Sequence, residues 1–253
     1  MVHLLWTGGW DSTFRLCDLV LVRGVEVQPH YIIDPKRGSL AKELQTMQSI
    51  RAVIRNRSSD PGVLRPTLFT ELGDISPQPE ITSQYNNLYK LGHLGVQYEW
   101  LARYTLEYGL SGKIELGIQA GARMDAILGK HIETVTHYVK GAGPVYRLRA
   151  DTPNKDMHFF RHYIFPIIRT PKLEMQRRAE DNGFDDIMET TWFCLAPPRP
   201  GVVCGMCNPC KTVDKTGMGR RVPPSARLRA AVGRVRLAIR PRSRMRALLQ
   251  RRH

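Results

Sequence analysis

The feature that most limits what this chain can fold into is an apolar run that ends in two glycines and leads into a helix-like segment. Residues 2–6 have the character of a strand, and residues 7–12 read Thr-Gly-Gly-Trp-Asp-Ser. Glycines let backbone N–H groups approach a ligand, and a helix N-terminus adds partial positive charge. The spacing fits neither a Walker loop nor a G-x-G-x-x-G loop. A bare Gly-Gly turn is the alternative, but the pattern favours an anion site, with Asp11 placed to hold Mg²⁺ against phosphate oxygens.

Strands and helices alternate along the rest of the chain. After a first helix that ends at Gly24, the patterns predict a strand over 25–33 and a helix with Ser39 as its N-cap. A loop-rich region follows over 57–92, with a short strand at Leu68-Phe69. Further along the chain they predict a helix over 94–108, a strand over 114–118, a helix over 124–139, a strand over 159–165, and a helix capped by Thr170 that ends at Gly183. This alternation predicts an α/β fold with a doubly wound parallel sheet. In such sheets the ligand crevice lies beyond the carboxyl ends of the strands, where the Gly8-Gly9 loop follows strand one.

Four of the five cysteines form the pattern C-x9-C-x2-C-x2-C, at Cys194, Cys204, Cys207 and Cys210. This clustering favours a metal site in a reducing compartment over a disulfide framework. Four thiolates can complete a tetrahedral Zn²⁺ site, which would then be structural. An iron–sulfur cluster is the competing interpretation. Cys17 lies among apolar residues and is expected in the core.

The positive charge is concentrated at one end of the sequence. Residues 218–253 contain twelve arginines, no lysine and no acidic residue, so they account for twelve of the +15 net charge and leave +3 for residues 1–217. Within 225–240, Leu228, Val232, Val235 and Ile239 recur at helical spacing; Pro241 ends that helix, and Met245, Leu248 and Leu249 suggest a second. A nucleic-acid arm, a helix on an anionic membrane, a helix docking on an acidic partner and a solvated appendage all remain open.

The sequence offers no sign of membrane insertion or secretion. No apolar run reaches the ~18 residues that a membrane span needs, and the N-terminus lacks the charged region of a secretory signal. We therefore expect a cytoplasmic protein.

Two motifs resemble known families. The Thr7–Ser12 loop resembles the S-G-G-x-D-S loop of the PP-loop ATP pyrophosphatases, with Thr7 in place of the leading serine. Thr-Trp-Phe-Cys at 191–194 and Cys-Gly-Met-Cys-Asn-Pro-Cys at 204–210 resemble the zinc motif of the 7-cyano-7-deazaguanine synthases, and residues 170–174 resemble their T-K-x-E segment. The resemblance extends over about residues 1–215.

The resemblance implies an adenine nucleotide α-hydrolase-like PP-loop domain over 1–190 and a zinc knuckle over 191–217. The arginine content and apolar spacing predict a basic helical tail over 218–253. The same resemblance implies ATP, Mg²⁺ and Zn²⁺ as cofactors. The implied reaction is ATP-dependent adenylation of a carboxylate on a 7-deazaguanine, followed by attack of ammonia or another amine. The product of this reaction is an amide or a nitrile, and AMP and pyrophosphate are released.

The resemblance also implies roles for individual residues. The residues expected to bind the nucleotide are Thr7, Gly8, Gly9, Trp10, Asp11, Ser12, Thr13 and Asp34. Asp11, Ser12 and Lys172 are the catalytic candidates, although Lys172 could equally be a surface lysine and Asp34 could cap a turn. In place of the family's Tyr-Pro-Asp-Cys-Arg segment, this chain offers Arg123 and Asp125 as substrate-binding candidates. For Arg123 a solvated surface position is equally open, and Asp125 could instead cap a helix.

Several alternatives stay open. Divergent relatives occur in bacterial antiviral operons, and such an enzyme could join the deazaguanine to a protein amine. A tRNA-thiolating enzyme would suit the basic tail, but no cysteine pair outside the cluster supports it. A nucleotide-binding regulatory subunit is a further alternative, and a homodimer is left open. His158 and His162 are expected on one face of a strand, in packing or substrate contacts rather than in a metal site.

Overall fold

The computed structural model describes residues 1–92 and 94–239. The chain divides into two compact units. The N-terminal unit comprises residues 1–192, and the C-terminal unit begins at Phe193.

A parallel sheet of four strands, in the order β3-β2-β1-β4, forms the centre of the N-terminal unit. The strands are β1 (Val2–Leu5), β2 (Val27–Ile33), β3 (Leu68–Glu71) and β4 (Ile114–Leu116). All three neighbouring pairs run parallel, and β1 lies between β2 and β4. Val2, Leu4 and Ile114 are fully buried, as expected for a parallel sheet covered on both faces. The predicted α/β fold with a parallel sheet is confirmed.

Seven helices of the N-terminal unit are found in the described residues. They are α1 (Trp10–Cys17), α2 (Leu40–Arg57), α3 (Pro79–Leu91), α4 (Gln97–Glu107), α5 (Arg123–Leu128), α6 (Lys172–Asp181) and α7 (Asp185–Thr190). A π-helical segment, Asp18–Val22, extends α1. The chain then turns at Gly24, whose φ of 59° suits a glycine. The first helix therefore ends where the sequence predicted.

The loop-rich interpretation of 57–92 is wrong, because α3 lies inside that range. Pro79 stands at the start of the helix, where a proline's missing N–H costs nothing. Ile81, Tyr85 and Leu88 are buried along one face of α3. The prolines thus mark the beginning of a helix rather than a continuous loop.

The predicted helix over 124–139 and strand over 159–165 are also wrong. After the short α5 the chain forms an antiparallel hairpin of β5 (Ile132–Val135) and β6 (Val145–Leu148). Residues Lys155–His162 form 3-10 turns, and sheet contact continues only as single bridges at Ile164 and Phe165. The β-branched residues Ile132, Thr134 and Val135 favour a strand, and local helical periodicity does not register their pairing with a distant segment.

Two predicted caps do not act as caps. Ser39 precedes α2, but its hydroxyl makes no capping bond and instead donates to Glu43 at 2.6 Å. The residue before α6 is Pro171 rather than Thr170. In the first case a side chain one turn along the same helix takes the serine hydroxyl, and in the second the proline geometry decides the helix start.

A buried ion-pair cluster joins α1 to β4. The Arg15 guanidinium donates to both oxygens of Glu115, at 2.7 and 2.8 Å, and Arg15 is 3% and Glu115 0% exposed. Asp18 accepts from Arg15 at 3.1 Å and from Arg23 at 2.8 Å, and lies 3.4 Å from Arg178. Burial raises the pKa of the Glu115 carboxyl, while the bonds and charge of Arg15 oppose that rise. The cluster fixes α1 against the sheet at the cost of desolvating its charges.

The C-terminal unit contains α8 (Asn208–Val213) and α9 (Pro224–Ile239). Ala226 and Ala230 are the buried positions of α9 among its described side chains. The predicted helix end at Pro241 and the second helix with Met245, Leu248 and Leu249 lie outside the described residues. No described helix is both long and apolar enough to cross a membrane.

We predict that Glu115→Gln lowers the free energy of unfolding of the N-terminal unit by about 3 kcal/mol, because the Arg15 charge stays buried without its main partner. All four tryptophans lie in this unit, so urea unfolding followed by tryptophan fluorescence measures it. The double variant Arg15→Met, Glu115→Leu should lose less than Glu115→Gln. The exposed Glu174→Gln serves as a control and should change little. Equal effects of Glu115→Gln and Glu174→Gln would contradict this account.

Candidate functional site

The Gly-Gly loop connects the end of β1 to the first turn of α1. Gly8 has a φ of 68°, and a Cβ there would lie 3.1 Å from the Met47 side chain of α2. The Gly8 carbonyl accepts a hydrogen bond from the Trp192 N–H at 3.0 Å. Gly9 is the N-cap residue of α1, and no side chain caps this helix end. The N–H groups of the first turn are therefore those that an anion would contact.

A glycine that the sequence analysis missed also shapes this helix end. Gly117 directly follows β4, and a Cβ there would lie 3.0 Å from the backbone nitrogen of Ser12 and 3.1 Å from its Cα. These distances are shorter than most real Cβ contacts and involve backbone atoms, so a side chain at this position would push β4 and α1 apart, whereas glycine allows the close approach. The sequence feature that could have revealed this close approach is a glycine immediately after a short buried strand.

Asp11 and Lys172 meet beside the loop, although 161 positions separate them. The Lys172 Nζ donates to Asp11 Oδ1 at 2.6 Å. The Asp11 side chain is 25% and that of Lys172 10% exposed. Lys172 is the first residue of α6, so packing of α6 brings its ammonium group to the start of α1. The structure thus joins two of the three predicted catalytic residues in one ion pair.

The other predicted loop residues surround this pair. Ser12 is buried, and its hydroxyl lies 3.5 Å from the Gly9 carbonyl. Thr13 is fully buried, and its hydroxyl accepts from the Trp6 indole N–H at 3.0 Å. Trp10 is buried and Thr7 exposed. Thr13 therefore supports the loop from within, whereas Thr7 faces solvent.

An open crevice lies beyond the carboxyl ends of β1, β2 and β4. Its walls come from these strand ends, the loop and α4, and include Leu5, Trp6, Thr7, Ser12, His30, Tyr31, Ile32, Arg37, Glu43, Gln97, Tyr98, Trp100, Leu101, Leu116, Gly117 and Ile118. This is the place where parallel α/β sheets bind their ligands. Thr7 and Ser12 of the loop open onto the crevice.

A charged hydrogen-bond network forms one wall of the crevice, and the sequence analysis did not identify it. Glu43 is 3% exposed and accepts from Arg37 at 2.8 Å, from Ser39 at 2.6 Å and from Tyr31 at 2.9 Å. Arg37 Nη1 lies 3.4 Å from the Gln97 amide oxygen. The network holds a guanidinium group in a fixed direction at the crevice wall, which suits an acidic or polar ligand.

A chain of polar rings crosses the sheet at His30. The ring nitrogens of His30 lie 2.9 Å from His3 Nδ1 and 2.6 Å from the Tyr104 hydroxyl. Burial, together with the charge of His3, lowers the pKa of His30 to about 4. His30 is therefore neutral near pH 7, and it ties β1 and β2 to α4.

The three remaining residues that were predicted to contact the nucleotide or the substrate have other surroundings. Asp34 follows β2, and its carboxylate accepts from the Lys36 N–H at 2.9 Å, closing a turn. Asp125 accepts from the Gly121 N–H at 2.9 Å and pairs with Arg169 at 2.9 Å. Arg123 is exposed. None of these three residues lines the crevice in the described part of the chain.

The two histidines predicted on a strand lie in the 3-10 turns instead. His158 Nε2 lies 3.0 Å from the Thr152 carbonyl oxygen, and His162 Nδ1 lies 2.8 Å from the Ser111 hydroxyl. Both side chains therefore hold neighbouring segments through hydrogen bonds.

The four clustered cysteines come together in the C-terminal unit. Their Sγ atoms all lie within 4.8 Å of one another, with 3.8 Å between Cys204 and Cys210 and 3.3 Å between Cys207 and Cys210. Backbone N–H groups donate to sulfur, from Cys204 to Cys194 at 3.2 Å and from Cys207 to Cys204 at 3.3 Å. Such bonds stabilise thiolates, and the compact set of four sulfurs could hold a metal ion such as zinc.

The thiols differ in their settings. Burial raises the pKa of Cys194 to about 11, whereas the hydrogen bond between the Cys207 and Cys210 sulfurs lowers the pKa of Cys207. Cys17 in α1 is fully buried, as predicted, and burial raises its pKa.

Comparison with known proteins gave no match: no protein family's sequence profile fits the chain, and no curated protein aligns with it significantly.

We predict an acid-sensitive stability that depends on His30. Its folded pKa of about 4 lies below the ~6.5 of an unfolded histidine, so the unfolded chain binds more protons between these values. The contribution of His30 to the free energy of unfolding is then fully present above about pH 6.5 and is lost as the pH falls toward 4. His30→Gln should be less stable at pH 8 but lose less stability than the unchanged protein between pH 7 and 5.

Urea unfolding at a series of pH values checks this prediction. The exposed His137→Gln is the matched control and should follow the unchanged protein. Parallel pH curves for the His30→Gln variant and the unchanged protein would contradict the prediction.

Proposed function

We propose that this chain is an ATP-dependent enzyme of the PP-loop type that adenylates a carboxylate. One observation carries the proposal: the uncapped first turn of α1 follows a Gly-Gly loop, and the Asp11–Lys172 ion pair lies beside it. Three kinds of group that bind phosphate or its metal ion, namely backbone amides, a lysine and a carboxylate, therefore converge at one strand end. A bare structural turn has no need of them.

The geometry supports cleavage between the α- and β-phosphates of ATP. The amides of the α1 first turn and Lys172 would bind the departing pyrophosphate, and their positive charge would offset the charge that develops on it. Asp11 would hold Mg²⁺ together with phosphate oxygens. Lys172 keeps the Asp11 carboxylate oriented toward this position.

The proposed adenylation and amination are two successive displacements. A carboxylate oxygen of the substrate attacks the α-phosphorus, and the bond to pyrophosphate breaks. An amine then attacks the acyl carbon of the adenylate and displaces AMP, and the amine loses a proton. The amide is the product. When the amine is ammonia, the primary amide oxygen can attack a second ATP and release pyrophosphate, and loss of AMP and of the two N–H protons would then give a nitrile.

The crevice suits a planar acid as the substrate. Trp6, Tyr98 and Trp100 contribute aromatic surface to its walls, and Arg37 contributes a fixed guanidinium. These features are compatible with a 7-deazaguanine acid, the substrate class that the resemblance to the 7-cyano-7-deazaguanine synthases implies. We extend the proposal to that class, with ammonia or another amine as the second substrate.

The settings of the cysteines favour amination over sulfur transfer. Sulfur transfer by a cysteine requires an accessible thiolate. Four of the five cysteines lie in the cluster, and the fifth, Cys17, is fully buried with a raised pKa. If the four cluster cysteines are bound to a metal, as proposed next, a tRNA-thiolating activity lacks a free cysteine nucleophile.

We further propose that the cysteine cluster binds zinc in a structural role. A Zn–S distance of ~2.3 Å places sulfurs about 3.8 Å apart in a tetrahedron, and Cys204 and Cys210 already lie 3.8 Å apart. Four sulfur ligands leave no position for water or substrate.

We expect the purified protein, given ATP, Mg²⁺ and a 7-deazaguanine carboxylic acid, to release AMP and pyrophosphate in equal amounts. Asp11→Asn should lower this turnover at least about 100-fold, as should Lys172→Met, because the first change weakens Mg²⁺ binding and the second removes positive charge beside the departing pyrophosphate. Asp151→Asn, which alters an exposed aspartate paired with Arg149, is the control. Chromatography of the nucleotides measures the outcome, and release of ADP and phosphate would refute the assignment.

We expect about one zinc ion per chain, measured by elemental analysis of the purified protein. Cys207→Ser should abolish stoichiometric zinc and lower the melting temperature, because binding of a structural metal contributes to folding. Its affinity for ATP should change little. Cys17→Ser, outside the cluster, should keep its zinc. Stoichiometric iron and acid-labile sulfide in protein prepared without oxygen would contradict the zinc assignment.

A further inference from the structure

Among its described side chains, helix α9 buries two alanines and exposes two larger apolar residues. Ala226 is 0% and Ala230 9% exposed, whereas Leu228 is 67% and Val232 45% exposed. The buried side packs closely within the C-terminal unit, because a Cβ at Gly205 would overlap the Ala226 carbonyl group. The Arg229 guanidinium also donates to the Val203 carbonyl at 2.6 Å. The orientation of α9 is thus fixed by its alanines, and Leu228 and Val232 form its outer face.

The outer face continues a regular spacing in the sequence. From Leu228 the apolar positions follow at 232, 235 and 239, which are steps of four, three and four, and the helix extends to Ile239. This is the a and d spacing of a coiled-coil seam. Helices that lie on membranes carry a wider apolar face, often with Trp or Phe, and α9 contains no aromatic residue. The spacing favours another helix as the partner over a lipid surface.

The charges beside this seam determine which helix fits. Arginines occupy positions 227, 229, 234 and 236, and residues 218–253 contain no acidic residue. With Leu228 at a d position, 229 and 236 fall at e positions, which flank the seam; the Arg229 guanidinium also keeps its hydrogen bond to the Val203 carbonyl. A second copy of α9 would bring arginine near arginine, and such like-charge contacts are unfavourable. The partner therefore needs glutamate or aspartate at the facing positions.

We propose that the outer face of α9 is a docking surface for an acidic helix with heptad spacing on a partner protein. The partner would cover Leu228 and Val232 with its own a and d residues, and its acidic e and g residues would pair with the arginines. This proposal is independent of the proposed enzymatic function.

The test uses the full chain and a labelled peptide of about four heptads, with leucine at a and d and glutamate at e and g. Fluorescence anisotropy measures its binding. A second peptide has the same composition in scrambled order, so that it keeps the charge but lacks the seam. We expect the heptad peptide to bind at least about tenfold more tightly than the scrambled one. Its affinity should fall with added salt without disappearing, because only the charged part of the contact is screened.

The double variant Leu228→Ser, Val232→Ser should weaken binding of the heptad peptide at least about tenfold, since it removes exposed apolar surface alone. Leu106→Ser is the matched control, because Leu106 is a leucine on a helix with 45% exposure, and it should bind as the unchanged protein does. Equal melting temperatures and equal zinc contents show that the variants are folded.

Two results would overturn the proposal. Equal binding of both peptides, unaffected by the serines, would show a charge-driven polyanion surface. Binding to phosphatidylserine vesicles that the serines abolish, without preference for the heptad peptide, would show a membrane-binding face.

Discussion

The bonds between Arg15 and Glu115 determine where α1 stands on the sheet, and the position of α1 determines the rest of the candidate site. One residue belongs to a helix and the other to the strand beside β1, so the pair spans the two elements that flank the loop. Both groups are desolvated, which makes any displacement of α1 that separates them unfavourable. The helix end that faces the crevice is thereby held in place by contacts made one to two turns further along α1, away from any ligand.

Backbone contacts then bring the loop close to its neighbours. Gly8 approaches α2, and Gly117 approaches Ser12, at distances that leave little space for a side chain. Lys172 adds a charged contact from α6. The site thus combines closely packed backbone with one ion pair, between Asp11 and Lys172. A bound ligand or metal could rearrange the side chains of this pair.

The sequence predicted those parts of the molecule that depend on local pattern. The parallel α/β sheet, the glycine-ended first helix and the burial of Cys17 follow from apolar periodicity and turn residues, and the structure bears them out. The four cysteines could be grouped because their spacing alone brings them together. Parts that depend on distant pairing were missed: the β5–β6 hairpin, the contact of Arg37 with Gln97 and the approach of Gly117 to Ser12. Each requires knowledge of which segments meet. Ser39 shows a different difficulty, because a serine with the local character of an N-cap donates to the nearby Glu43 instead.

The contact between Gly205 and Ala226 limits how the C-terminal unit can vary in sequence. A side chain at 205 would place its Cβ 2.8 Å from the Ala226 carbonyl carbon, and Gly205 also has a φ of 79°. Because the obstacle is a backbone carbonyl, no substitution at 226 relieves it. A relative with any other residue at the position of Gly205 must have shifted the helix that corresponds to α9 away from the cysteine loop. The identity of this single residue therefore predicts whether a homologous chain can hold its arginine-rich helix in the orientation seen in this protein.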